Sequence, residues 1–251
     1  MEKESVLVAR LEDKTRCEGY RAIGFLLLAC ALVLGAVPAW GAEPYRIEPA
    51  ELRASDELPR ALADKLDSQG LRLVTETNGL EMGICELFWA KAAMGQAHQP
   101  GAKAHYGDLE TGALVGVIRF LPEASEDFRE DSHDQKLKPG YYTMRYAALP
   151  EMDGQDVVLL SPAKGDAEAE QTLALDELKR RSRLASGTSE PAVLSLVPPE
   201  SGKAEFPSIR MDDQGTCIIE VRFQVRAGAN PARDVPFAMM VVTPRNDEGG
   251  S

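Results

Sequence analysis

The chain has 251 residues and a formal net charge of −12, from 28 Lys and Arg against 40 Asp and Glu. Its 44% hydrophobic and 27% charged residues are typical of a folded globular protein, which excludes a wholly disordered chain. The acidic balance also excludes nucleic acid as a partner, because no basic surplus is present to neutralise phosphates.

Residues 1–41 are predicted to be a secretory signal peptide. An uncharged apolar stretch covers residues 22–42; basic side chains precede it, and a proline with small residues closes it. This order favours cleavage before Ala42. Two alternatives stay open, because a stretch of about 21 residues is also long enough for a membrane anchor, and residues 27–30 resemble a bacterial lipobox. All three place residues 42–251 outside the cytoplasm, in the periplasm or the extracellular space.

Two cysteines, Cys85 and Cys217, remain in the predicted mature chain. Both lie in apolar, strand-like runs. Outside the cytoplasm two thiols can form a disulfide, so one Cys85–Cys217 bridge is a prediction. The alternative is two separate buried thiols, since free cysteine is a common core residue.

The first part of the predicted mature chain indicates one short helix and a hairpin. A polar lead-in covers residues 43–57, and apolar residues at helical spacing over 58–66 predict the helix. Strands are predicted over residues 71–75 and 82–90. The Asn78-Gly79 pair between them is a strong hairpin signal.

The middle of the chain combines apolar strands with an acid-rich loop and a second helix. Leu175, Leu178 and Ala185 recur at helical spacing before Gly187, which predicts a helix that ends there. The acid-rich loop covers residues 122–138. The run over 112–121 is apolar enough for a strand buried on both faces. Further strands are predicted over residues 140–149, 157–160 and 192–197.

The clearest strand pattern covers residues 216–226. Odd-numbered apolar residues from Cys217 to Val225 alternate with even-numbered polar residues from Glu220 to Arg226. Such alternation predicts one face on a core and the other in water. A turn precedes this run, so residues 206–211 are expected to pair with it as a hairpin. The last predicted strand covers residues 237–243.

Strands linked by hairpins outnumber helices too heavily for a doubly wound α/β sheet. We therefore predict a mainly β fold, an antiparallel β-sandwich of Ig-like or jelly-roll-like type with two short helices. Residues 42–245 are expected to form a single domain and residues 246–251 a disordered tail.

Three side chains on predicted strands are candidate ligand contacts. Trp89 and Tyr141 are aromatic surfaces suited to stacking, although strand aromatics more often pack in a core. Arg145 lies on the same strand face as Tyr141 and is suited to an anion or carboxylate. A buried charge needs a partner, so the alternative for Arg145 is a structural ion pair, with Glu86 as one option.

The acid-rich loop holds the candidate metal ligands Asp131, His133 and Asp134. Carboxylates with one imidazole can hold a cation, whereas the alternative is a solvated charged loop. The sequence contains no Gly-x-Ser-x-Gly elbow and no glycine-rich phosphate loop. No cofactor is therefore expected.

Two blocks of the sequence resemble a known group. LKPGYYTMRY at residues 137–146 is similar to the LKPGxYTxRY strand of uncharacterised secreted bacterial β-rich proteins. SRLASGT at 182–188 with PAVLSL at 191–196 is similar to their second block, SRxASGTxxPAVLSL. The resemblance covers roughly residues 70–245 and implies export and a β-rich fold. The group has a histidine where this chain has Glu190, so the resemblance implies no metal or catalytic role for the second block.

Two function classes follow from these features. The favoured one is an exported, non-catalytic β-sandwich module that binds a partner protein, a glycan or another envelope component. The alternative is a metal-dependent or carboxylate-based carbohydrate-active enzyme that uses the loop 123–134, including Asp127 and Glu130, since paired carboxylates suffice for glycoside chemistry. A membrane contact is expected only through an uncleaved N-terminal segment.

Overall fold

The computed structural model describes eight stretches of the chain. They cover residues 44–77, 79–96, 106–126, 129–133, 135–149, 155–166, 172–200 and 205–242. The predicted signal peptide and tail lie outside the described residues, as do Asn78, Asp127 and Asp134.

Eleven strands and two α-helices are present in these stretches. Neither helix is long and apolar enough to cross a membrane, a finding that concerns the described residues alone. The elements in chain order are β1 (Tyr45–Glu51), α1 (Arg60–Ala63), β2 (Gln69–Thr77), β3 (Leu80–Trp89), β4 (Ala93–Gly95), β5 (Leu114–Phe120), β6 (Gly140–Leu149), β7 (Gln155–Pro162), a 3-10 turn (Ala163–Gly165), α2 (Leu175–Ser186), β8 (Val193–Ser195), β9 (Ser208–Met211), β10 (Cys217–Ala227) and β11 (Arg233–Val242).

The strands form two sheets. The larger has the order β1-β2-β3-β5-β6-β7-β8, and each neighbouring pair is antiparallel. The smaller is centred on β10, which pairs with β11 along one edge. The other edge of β10 pairs with β9 over Cys217–Glu220 and with β4 over Val225–Ala227. Neither sheet closes on itself, and the predicted mainly β sandwich with two helices is confirmed.

Three apolar clusters hold this architecture together. The largest lies between the sheets and contains Leu87, Ile118, Phe223 and Phe237 among its fully or nearly fully buried members. The other two cover the opposite face of the larger sheet, one beneath the segment around α1 and one beneath α2. Because the larger sheet is covered on both faces, its central strands are apolar almost throughout, as predicted for residues 112–121.

Several local predictions are confirmed. The β2–β3 hairpin turns at Gly79, whose φ of +75° lies in the region that favours glycine. Helix α2 ends at Gly187, which has a φ of +69° and donates its backbone N–H to the Arg183 carbonyl. Strand β9 pairs antiparallel with β10, as the hairpin prediction requires.

Two predictions are wrong. Residues 45–51, expected within a polar lead-in, form the edge strand β1, which needs few apolar residues because it is only partly buried. Glu220 was expected in water but is fully buried. Its carboxylate accepts hydrogen bonds from the Arg210 guanidinium and the Glu200 backbone N–H, both at 3.0 Å, so a paired charge replaces solvent.

Candidate functional site

Arg145 belongs to a fully buried ion pair. Its guanidinium donates two hydrogen bonds to the Asp166 carboxylate, at 2.8 and 3.0 Å, and one to the Gly112 carbonyl at 2.8 Å. Glu86, considered above as a partner, pairs instead with Arg119 at 3.0 Å. The charge of Arg145 is thus neutralised inside the protein, as a buried charge requires.

Asp166 connects three structural elements. Besides Arg145 of β6 it accepts a hydrogen bond from Arg181 of α2 at 3.4 Å, and its backbone N–H closes the 3-10 turn at Ala163. Burial acts to raise the pKa of Asp166, but the hydrogen bonds and charge of Arg145, a hydrogen bond from Thr143 and the charge of Arg181 hold it below the ordinary value. The pair therefore fixes β6, the 3-10 turn and α2 relative to one another.

A groove of about 370 Å³ lies between the segments that this pair connects. We call it the lysine groove, because Lys136, Lys138 and Lys164 line it. The start of β6 contributes Tyr141, and the end of α2 contributes Leu184 and its neighbours up to Gly187. The two sequence blocks that carry the resemblance therefore meet in one groove.

Three lysines against one lining carboxylate, Glu57, make the groove locally basic in a protein of net charge −12. Lys136 pairs with Glu126 at 2.9 Å, whereas Lys138 and Lys164 are exposed and form no ion pair within the described part of the chain. Leu184 is 67% exposed at the same place. Positive charge beside an uncovered apolar side chain suits an anionic ligand that also carries an apolar group.

Tyr141 forms a wall of this groove rather than an open stacking surface. Its side chain is 7% exposed, and burial raises its pKa. The Arg119 guanidinium lies 5.2 Å from the ring centroid. Tyr141 thus lines the groove. Arg145, on the same strand face, is buried and contributes only by holding Asp166 and the segments attached to it.

Trp89 lines a different cavity, of about 440 Å³, between residues of the two sheets. We call it the Trp89 cleft. The indole stacks on Phe223 with ring centroids 6.3 Å apart and meets Phe237 edge-on at 5.8 Å. Its buried N–H has no hydrogen-bond partner among the described residues. The three ligand candidates therefore do not share one site.

Asp131 connects the acid-rich loop to β8. Its carboxylate accepts hydrogen bonds from the backbone N–H groups of His133, Gln135 and Val193, each at 2.9 Å, and from the Gln135 amide at 3.1 Å. Burial raises the pKa of Asp131 while these N–H groups act to lower it. Within the described stretches no group of three metal-ligating side chains is found. Asp134 lies outside them, so the metal site stays a prediction.

Cys85 of β3 and Cys217 of β10 are both fully buried in the cluster between the sheets. They are free thiols in the structure. Burial, together with the nearby Cys217, raises the pKa of Cys85, so its reactive thiolate form is disfavoured. The disulfide between them stays a prediction.

Sequence reasoning missed several residues of these sites. Lys164 and Leu184 lie on an exposed turn and an exposed helix end, and no spacing rule relates them to β6. Lys138 stands in a quoted block, but a lone exposed lysine carries no signal by itself. Asp166 follows β7 by a few residues and stands close to other acidic residues in the sequence, so nothing distinguishes it as a partner for Arg145.

Comparison with protein-family models, curated proteins and solved structures finds no match to this chain. The function proposed for it therefore depends on the geometry and charge of the lysine groove.

Glu177 in the first turn of α2 is expected to stay ionised in acid. Its hydrogen bonds from Arg180, at 2.7 Å, and from Arg181 lower its pKa from 4.5 to about 2. Because this folded-state pKa is depressed, the carboxylate stabilises the fold above pH 4.5 and is lost only as pH falls towards 2. A carbon-13 NMR titration of the side-chain carboxyl should give this low midpoint; a midpoint near 4.5 would contradict the two ion pairs.

Proposed function

We propose that the protein is an exported, non-catalytic β-sandwich module that binds an acidic segment of a partner protein in the lysine groove. One observation carries the proposal: two lysines of the loop before β6 and Lys164 of the 3-10 turn meet beside the exposed Leu184 in an otherwise acidic protein. Carboxylates of a partner would pair with the ammonium groups, and an apolar side chain would cover Leu184.

The fixed walls of the groove support this proposal. The Arg145–Asp166 pair connects β6, which carries Tyr141 near its start, to the turn that carries Lys164. Arg181 connects the same carboxylate to α2, which carries Leu184. A site whose walls are already ordered loses little conformational entropy when a ligand binds.

The chemistry of the groove favours an acidic peptide over a sugar. Lysine ammonium groups are compact charges that pair with carboxylates from many directions. Tyr141 is too buried to offer the ring face on which a sugar stacks. Leu184 is the open apolar surface, and an aliphatic or aromatic side chain of a peptide packs on it readily.

The test is a charge reversal of the groove, Lys138→Glu combined with Lys164→Glu. The probe is a labelled peptide of alternating Glu and Leu residues, measured by fluorescence anisotropy with the full-length chain. We expect the native chain to bind, with an affinity that falls as salt is added. The charge-reversed variant should bind at least about tenfold more weakly.

Lys91→Glu combined with Arg226→Glu is the matched control, because it makes the same change in net charge at two exposed basic residues that do not line the groove. It should bind the peptide as the native chain does. Equal losses in the control and the groove variant would show that only net charge matters. Binding of a neutral sugar polymer with no response to the acidic peptide would assign the groove to a glycan instead.

A further inference from the structure

The smaller sheet has a gap along one edge. On the side of β10 opposite β11, β9 pairs as far as Glu220 and β4 begins at Val225. No strand among the described residues pairs with residues 221–224 on that side. We call this stretch, residues 221–224, the open edge. It adjoins the Trp89 cleft, which Val221 and Arg222 line.

The backbone of Arg222 points into this gap. Residues of an antiparallel ladder alternate between pairs that exchange hydrogen bonds and pairs that do not. Ala238, opposite Glu220, directs its N–H to the Tyr106 hydroxyl and its carbonyl to the Val197 N–H, away from β10. Glu220 and Ala238 therefore exchange no backbone hydrogen bonds with each other.

Two residues further along, Arg222 and Pro236 form a pair of the same, non-hydrogen-bonded kind. Pro236 has no N–H to donate. The N–H and carbonyl of Arg222 consequently face the gap, just as those of Glu220 face β9. At Glu220 the strand β9 lies opposite these backbone groups, whereas at Arg222 the Trp89 cleft lies opposite them.

The surroundings of the open edge combine apolar walls with one charge. Leu71, Trp89 and Phe206 line the cleft, and its cavity of about 440 Å³ has room for more than one side chain. Arg222 is the charged residue among the described lining residues. Its guanidinium lies 4.7 Å from the Phe206 ring centroid and forms no ion pair with any described residue.

We propose that the open edge binds the C-terminal end of another protein as a short added β-strand. The Arg222 N–H and carbonyl would hydrogen-bond the backbone of the bound chain, and its last side chain would enter the Trp89 cleft. The terminal carboxylate would pair with the Arg222 guanidinium. This is a second interaction surface, separate from the lysine groove.

The gap between β9 and β4 is short, and this favours the end of a polypeptide over a strand that continues past it. A strand that continued past the open edge would meet β9 at one end and β4 at the other, whereas a terminus needs space on one side only. The apolar walls of the Trp89 cleft favour an apolar last side chain. The occupant is therefore a second polypeptide that ends in an apolar residue.

The test compares free and amidated peptide ends. The probes are labelled random peptides ending in Val, Leu, Ile or Phe, each pool made with a free carboxylate and with a C-terminal amide, and titrated against the full-length chain. We expect the free acids to bind about tenfold more tightly than the amides. Arg222→Gln should remove this preference, because it removes the guanidinium while leaving the backbone N–H in place.

Arg226→Gln is the matched control, since Arg226 is an exposed arginine on the same strand whose edge is already paired with β4. It should keep the preference for free acids. Arg222→Pro removes the N–H as well and should abolish binding of both pools, without loss of a bond to β11. The proposal is overturned if neither pool binds the native chain, if amides bind as tightly as acids, or if the two Gln variants behave alike.

Discussion

Replacing Asp166 with Asn is expected to lower the free energy of unfolding by about 3–5 kcal/mol. The variant leaves the Arg145 guanidinium fully buried beside a neutral amide, so the charge loses its counter-ion but cannot regain water. Urea unfolding followed by circular dichroism measures the loss. A loss below about 1 kcal/mol would show that Arg145 finds solvent or another carboxylate.

Two comparisons separate the buried pair from a surface pair. Arg180→Gln breaks an ion pair whose arginine is 63% exposed, and it should cost far less than Asp166→Asn because water screens the pair. The double variant Arg145→Met with Asp166→Leu should recover part of the Asp166→Asn loss, because it leaves no unpaired charge.

Acidification should remove the contribution of the Arg145–Asp166 pair to stability. The pKa of Asp166 lies below its ordinary 3.8, so its contribution is present above that pH and is lost as pH falls through the depressed folded value. The Asp166→Asn variant should lack this component of the acid dependence. An equal acid dependence in both proteins would place the depressed pKa on another carboxylate.

Replacing Asp131 with Ala is expected to cost about 3 kcal/mol or more, because three backbone N–H groups lose their acceptor and each such loss costs about 1–3 kcal/mol. The Val193 N–H is buried, so water cannot replace the lost acceptor. Chemical unfolding measures the loss. Glu126→Ala, in the same loop but exposed, should cost far less than Asp131→Ala.

The same variant tests the predicted metal site. If the Asp131 carboxylate serves the backbone, calcium or zinc should not raise the unfolding midpoint of the native chain, and a chelator should not lower it. A midpoint that rises with a divalent ion in the native chain, but not in Asp131→Ala, would instead identify a cation in the loop.

The parts of the fold that follow local rules could be predicted from the sequence. The hairpin turn at Gly79 and the end of α2 at Gly187 each depend on one residue with a positive φ. The alternation along β10 reflects one apolar face on the core. Strand β1 escaped prediction because its hydrogen bonds come from β2, and an edge strand needs no clear apolar pattern of its own.

The candidate sites depend on contacts between distant segments, which the sequence does not display. Arg145 was recognised as a charge that needs a partner if buried, but nothing near it in the chain indicates Asp166. The lysine groove joins Lys138 to Leu184 through the packing of α2 on the larger sheet. The gap beside Arg222 exists because β9 and β4, from distant parts of the chain, pair with the same edge of β10.

The contacts that Asp131 and its neighbour make with β8 also limit self-association. The outward backbone groups of Val193 are taken by the Asp131 carboxylate and the Ser132 N–H, and the Ser195 N–H donates to the Ser132 hydroxyl. An uncovered β8 would be a template on which a second molecule could add its own strand. With these backbone groups occupied, β8 should not serve as an edge for polymerisation, and loss of the Asp131 carboxylate should make fibrils or amorphous precipitate form sooner in concentrated protein.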